Sequence, residues 1–144
     1  MPNLDAIKKQ LTVHEGRKSF PYQDTVGKVT IGVGWNLTDN GLPDSIIDDL
    51  LDLSIGKAEL DLDETFPWWR DLDEVRQRVL LDMCFNMGIN KLAKFKRTLG
   101  AIRQQKWNEA AEFMLDSLWA TQVGKRAKRL AHMMRTGQVP RELL

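Results

Sequence analysis

Leu4, Ile7, Leu11 and Val13 recur at near-helical spacing and Gly16 stands where a helix would stop, so the chain opens on a short amphipathic helix ending near Glu15. The period then changes. In FPYQDTVGKVTIGVG, Phe20 to Gly34, turn chemistry lies at Asp24 to Gly27, and Val29, Ile31 and Val33 alternate with Thr30, Gly32 and Gly34. This predicts a small hairpin, with a third short strand after Trp35. A hairpin is marginal alone, so it must lean on helices. From Pro43 onward the pattern is nearly all helical: one helix through Ile46, Ile47, Leu50 and Leu51, then a longer one through Ile55, Leu60 and Leu62 that Phe66 and Pro67 end.

Asp71 as cap, with Glu74 three residues on, predicts the start of the most apolar helix, Val75 to Met87, which reads as the buried centre of a larger lobe. Gly88, Gly100, Gly124 and Gly137 punctuate the shorter helices that follow, whose apolar positions include Leu92, Leu99, Ile102, Trp107, Phe113, Trp119, Leu130 and Met133. No repeat or flexible linker interrupts the chain, which fits two lobes of one domain. The fold class is therefore α+β, mainly α.

At 144 residues a chain can bury roughly 68–70% of its unfolded surface, so a core is attainable without staples. Its 42% hydrophobic and 28% charged residues are ordinary for a soluble protein, and no run approaches the ~20 apolar residues of a membrane span. Residues 1–10 lack the basic and apolar regions of a secretory signal, which predicts a cytoplasmic location until release. The lone Cys84 lies in an apolar helical stretch and reads as a buried thiol. The net charge is +1, yet Asp39 to Glu74 holds twelve acids against Lys57 and Arg70, whereas Val75 to Leu144 holds fourteen bases against five acids. A basic pole of this kind favours polyanionic partners. Nucleic acid is disfavoured among them, because no recognised binding motif is present and the acidic middle opposes it.

Glycoside hydrolysis requires a carboxylic acid that gives a proton to the leaving oxygen, and an ionised group on the other face of the sugar. Glu15 ends a helix whose dipole disfavours negative charge, whereas Asp24 sits at a solvated turn. Thr30 is a lone hydroxyl among apolar strand residues on the strand facing the Asp24 segment, suited to holding a water. Taken singly, each has an ordinary reading: a solvated helix end, a turn former, a β-branched strand residue. Their joint spacing changes the weighting.

The segment HEGRKSFPYQDTVGKVTIGVGWNLT resembles the signature of the phage-type lysozymes (endolysins), glycoside hydrolase family 24. In that family a Glu, an Asp after eight intervening residues and a Thr after five more form the catalytic set, and Glu15, Asp24 and Thr30 match it. The similarity continues through LDEVRQRVLLDMCFNMG, QQKWNEAA, RAKR and MRTG. The resemblance implies a lysozyme-like fold in one domain, residues 1–144, with a small β-hairpin lobe at about 15–52 and a connecting helix at about 54–65. A helical lobe at about 66–144, packed with the N-terminal helix 3–14, would face the β lobe across a saccharide cleft. It further implies hydrolysis, with inversion, of the β-1,4 bond between N-acetylmuramic acid and N-acetylglucosamine in bacterial peptidoglycan, for host lysis and phage release. Substrate-binding positions carried over from the family are Gly34, Asn36, Phe85, Asn86, Thr98, Gln122 and Arg126. Asn36, Thr98 and Phe113 differ in residue type from the best-known member of that family. Arg126 is expected to pair with Glu15. Trp35 stands where the best-known member has a histidine, so the histidine–carboxylate bridge known in that member is not expected.

Neither a metal nor another cofactor is implied, since His14 and His132 are far apart and match no ligand spacing. Trp68 and Trp69 read as packing residues before a sugar platform, and Trp107 and Trp119 as core. KRAKR, with His132 to Arg135, reads first as a solvated helix face and second as a contact with the outer-membrane surface. The family role implies a monomer that reaches the wall with the help of a holin. Two other functions compete: a lytic transglycosylase, which needs no water-positioning Asp24 and Thr30, and a non-catalytic peptidoglycan-binding protein, which needs no Glu15.

Overall fold

The computed structural model describes residues 1–144, which divide into two compact units, Met1–Leu50 and Leu51–Leu144. In the first, helix α1 (Leu4–Glu15) starts at Asn3, whose side chain accepts from the Ala6 N–H, and stops at Gly16, whose own N–H returns to the Thr12 carbonyl. Three antiparallel strands follow in order: β1 (Lys18–Gln23), β2 (Val29–Gly32) and β3 (Trp35–Asn36). Tyr22 faces Thr30 and Gln23 faces Val29 across the first pair, while Thr30 faces Asn36 across the second. The third strand expected after Trp35 is present, two residues long. Asn36 then caps the short α2 (Leu37–Asn40) by accepting from the Asp39 N–H. Thr30 is the one fully buried residue of this unit.

One helix, α3 (Asp44–Thr65), replaces the two expected between Pro43 and Pro67. The segment between them, Leu53 to Gly56, contains no proline, and a single helical glycine costs only about 1 kcal/mol, which the helix formers around Gly56 tolerate. The stop at Phe66 and Pro67 is as expected, and Pro67–Asp71 forms a 3-10 turn.

The second unit holds the core. Helix α4 (Glu74–Met87) is capped by Asp73, which accepts from the Arg76 N–H, and not by Asp71. The reason is local: Asp71 is consumed by the 3-10 turn, Leu72 is extended, and Asp73 is the residue with the φ and ψ of a cap. After α4 come α5 (Ile89–Leu92), α6 (Lys96–Arg103), α7 (Trp107–Leu115), α8 (Leu118–Val123) and α9 (Lys125–Thr136). Gly88, Gly124 and Gly137 flank helix ends at positive φ, whereas Gly100 lies inside α6 and punctuates nothing. Leu62, Leu80, Met83, Leu92, Ile102, Met114, Leu130 and Met134 are fully enclosed, each stabilising the unit by roughly 1.5–3 kcal/mol relative to exposure.

Trp69 and Trp119 are buried, while Trp107 and Trp68 are half-buried. Trp69 is anchored by donating from Nε1 to Asp63, 2.7 Å. Arg76 lies 3.9 Å above the Trp107 ring and donates from Nε to the Met134 carbonyl and from Nη2 to that of Arg135, closing the C-terminal end of α9. Cys84 is buried with its thiol directed at the Ala58 carbonyl, and burial raises its pKa. No helix is long and apolar enough to cross a membrane.

Candidate active site

Glu15 is the last residue of α1 and is exposed. Its carboxyl lies against the backbone of Gly34: a Cβ added there would stand 3.0 Å from Oε2, 3.2 Å from Cδ and 3.4 Å from Cγ. Gly34 also has a φ of +71°, where side chains are strained, so both the close approach and the backbone favour glycine there. Two residues separated by eighteen positions of hairpin thus meet at one point.

Asp24 follows β1 and organises the turn to β2. Its Oδ1 accepts from the Val26 N–H at 3.0 Å and the Lys28 N–H at 2.8 Å, while its own N–H donates to the Lys28 carbonyl at 2.9 Å. Both side-chain bonds fall on Oδ1, which leaves Oδ2 for solvent. Thr30, 4% exposed, donates from its hydroxyl to the same Lys28 carbonyl at 3.0 Å. That carbonyl therefore receives both the Thr30 hydroxyl and the Asp24 N–H, while the Lys28 N–H grips the Asp24 carboxylate.

Lys28 is the residue that sequence reasoning missed, because a backbone junction leaves no mark in side-chain type. Its ammonium has a separate role, an ion pair with Asp39 at 3.1 Å. That bond, and then one from the Asn36 amide, holds the Asp39 carboxyl below its ordinary pKa. Asn36 accordingly spends both its amide groups on α2. Trp35 donates from Nε1 to the Gly41 carbonyl at 2.7 Å.

The other candidate positions lie in the second unit. Phe85 is 47% exposed and borders a groove with Leu81, Asp82, Arg126 and Met133. Asn86 accepts from Trp119 Nε1 through its side-chain oxygen at 2.8 Å. Thr98 is buried in α6, and Gln122 is exposed on α8. Arg126, expected to pair with Glu15, has Asp82 as the partner of its Nε, at 2.8 Å. Asp82 sits one helical turn before Asn86 on the same face of α4, a placement that spacing alone would have allowed but not selected. The apolar side of α9, Ala127, Leu130, Ala131, Met133 and Met134, is buried in the core, so its basic residues are carried on the outer side of a packed helix.

The chain as a whole is similar to known proteins. Two proteins of Dictyostelium discoideum, probable T4-type lysozymes 1 and 2, are 28% and 29% identical to the chain over 163 residues, covering 93% of it and 96% of each relative. The pre-baseplate central spike protein Gp5 of Enterobacteria phage T4 is 27% identical over 96% of the chain, which corresponds to 29% of that larger protein. The family model for phage lysozyme matches residues 12–136, a span that includes Glu15, Asp24, Thr30 and every candidate position in the second unit. The chain belongs to the phage lysozyme family and is a glycoside hydrolase of the lysozyme type.

Proposed function

We propose that this lysozyme hydrolyses the β-1,4 bond between N-acetylmuramic acid and N-acetylglucosamine of peptidoglycan by a single displacement with inversion. Glu15 gives its proton to the glycosidic oxygen as the bond to the anomeric carbon breaks. A water held by Asp24 Oδ2 and the Thr30 hydroxyl oxygen attacks that carbon from the opposite face and yields its proton to Asp24. The products are a free hydroxyl and a reducing sugar of inverted configuration. Such a mechanism requires room for the water, with the two carboxyls roughly 6.5–9.5 Å apart.

The observation that carries this reading is the way the three groups are held. Glu15 is seated on Gly34, while Asp24 and Thr30 are both tied to the backbone of Lys28, a rigid junction suited to fixing a water. Gly34, Phe85, Asn86, Thr98, Gln122 and Arg126 would contact the saccharide, with Asn36 supporting the β-hairpin from its cap. The biological role would be lysis of the host at phage release. The enzyme would accumulate in the cytoplasm as a monomer and reach the wall once a holin opens the membrane. Contact with an anionic outer-membrane surface would run through the exposed bases of α9 by charge rather than insertion, because the apolar side of that helix is occupied.

The test is release of new reducing ends from purified peptidoglycan by the wild type and a folded Glu15→Gln variant, with mass spectrometry of the products. Reducing muropeptides from the wild type alone are expected. Anhydro products would make the enzyme a transglycosylase, equal activity in both would remove Glu15 from the mechanism, and none in either would leave a binding protein.

A further inference from the structure

The β2–β3 ladder pairs Ile31 with Trp35 and Thr30 with Asn36, and it stops before Val29, because the chain turns into α2 directly after Asn36. A side chain takes the place of the missing strand residue: the Val29 N–H donates to Thr38 Oγ1, on α2, at 2.7 Å. The neighbouring residue is fastened to the same helix, since Lys28 Nζ donates to Asp39 Oδ1 at 3.1 Å. Asp39 is in turn held by Asn36, whose Nδ2 donates to Asp39 Oδ2 at 2.9 Å and whose Oδ1 accepts from the Asp39 N–H at 3.0 Å. Two bonds thus tie α2 to the Lys28–Val29 segment.

Lys28 and Val29 share one peptide group. Such a group is planar and trans, so its carbonyl and its N–H point in opposite directions and turn together. Here the N–H goes to Thr38, while the carbonyl receives the Thr30 hydroxyl at 3.0 Å and the Asp24 N–H at 2.9 Å. The direction of that carbonyl decides what Thr30 can do, because a hydroxyl has a single proton to give. With the proton given to Lys28, Thr30 Oγ1 meets a water only as an acceptor. The water then donates one hydrogen to Thr30 and the other to Asp24 Oδ2, and its lone pairs are left for attack. A tilt of the peptide plane would release the Thr30 proton, and the hydroxyl could donate to the water and occupy a lone pair that has to react.

We propose that Thr38 is a positioning residue for the hydrolytic water: by holding the N–H end of the Lys28–Val29 peptide, it fixes the carbonyl that keeps the Thr30 hydroxyl an acceptor. This rests on Asp24 and Thr30 as the holders of that water. Val29 is 38% exposed and Thr38 lies on the surface, so the bond does not serve burial. In a Thr38→Val variant, solvent can take over the Val29 N–H, and the fold keeps its stability while the peptide plane loses its fixed direction.

The experiment compares the full chain as wild type, Thr38→Val, Thr38→Ser and Thr30→Val in three measurements. These are urea denaturation, kcat and KM for reducing-end release from soluble peptidoglycan fragments, and the ¹H–¹⁵N NMR shift of the Asp24 amide, which reports the direction of the Lys28 carbonyl. Thr38→Val is expected to move the Asp24 amide and to lower kcat roughly tenfold, because a misplacement smaller than about 1 Å at a reacting group costs less than about a hundredfold. KM and the urea midpoint should stay nearly unchanged. Thr38→Ser keeps the hydroxyl and should restore both kcat and the amide shift. A wild-type kcat in Thr38→Val overturns the proposal, as does an unmoved Asp24 amide or a loss that serine fails to restore. A raised KM with kcat intact would make Thr38 a residue of substrate binding and equally overturn it. Failure of the hydrolytic mechanism is read separately: full activity of Thr30→Val would take Thr30 out of the reaction, and the proposal with it, even where Thr38→Val moves the Asp24 amide.

Discussion

Replacing Gly34 by alanine tests whether the seat of Glu15 matters to the reaction. The new Cβ would lie 3.0 Å from Oε2 and 3.2 Å from Cδ of Glu15, tighter than nearly all carbon contacts, so the carboxyl must give by a few tenths of an ångström. The backbone at φ +71° adds a strain of about 1–2 kcal/mol for any residue with a Cβ. A displacement of about 1 Å at a reacting group can cost about a hundredfold, so the smaller shift here is expected to lower kcat roughly tenfold. Gly32→Ala separates the two effects, because Gly32 has nearly the same φ, +70°, and a Cβ there would meet nothing within 4 Å. Both variants should lose similar stability in urea denaturation, and Gly34→Ala alone should lose the larger share of reducing-end release. Equal loss of activity in the two would show that Gly34 is needed only for its backbone and that the seat of Glu15 has no catalytic weight.

Arg76→Ala should destabilise the protein by about 3–5 kcal/mol in urea denaturation, since it removes two charge-assisted bonds to the carbonyls of Met134 and Arg135 and the stacking on Trp107; a loss below about 1 kcal/mol would refute its role as the closure of α9. Asp82→Asn should leave the thermal midpoint nearly unchanged, because the Asp82–Arg126 pair is more than a third exposed on both sides, yet raise KM by freeing Arg126. An unaltered KM would remove Asp82 from the binding of substrate. The Asp63 carboxyl is held below its ordinary pKa by Arg70 and then Trp69. With its folded pKa depressed, its contribution is complete above the unfolded value of about 3.9 and is lost as pH falls through the folded value. The difference in thermal midpoint between wild type and Asp63→Asn should therefore be constant near neutral pH and shrink below about pH 4. Cys84, buried with a raised pKa, should react with a thiol reagent only in step with unfolding in urea; rapid labelling of the folded protein would contradict its burial.

Much of this was legible in the chain because the signals are local. The stop of α1 at Gly16, the turn at Asp24 to Gly27, the alternation around Thr30 and the end of α3 at Pro67 each depend on a few adjacent residues. Where neighbouring signals compete, reading by pattern fails. Asp71 and Asp73 both resemble a cap, and the choice between them depends on the 3-10 turn that Trp68 and Trp69 form as they pack. Gly56 and Gly100 resemble breaks, but each is held in a helix by the residues around it.

The spacing of Glu15, Asp24 and Thr30, and the mainly helical α+β class, were determined by the sequence alone, because helical period, strand alternation and turn chemistry act within one or two turns of chain. The partners of those residues were decided only by tertiary structure. The meeting of Glu15 with Gly34 depends on how the hairpin folds back toward the end of α1, and the pairing of Arg126 with Asp82 across 44 positions and the closure of α9 by Arg76 across 58 depend on where distant backbone segments are brought by the burial of the core. Composition can place a charge on a helix, but it cannot say which carbonyl or carboxylate lies within about 3 Å of it, because hydrogen bonding acts at contact distance.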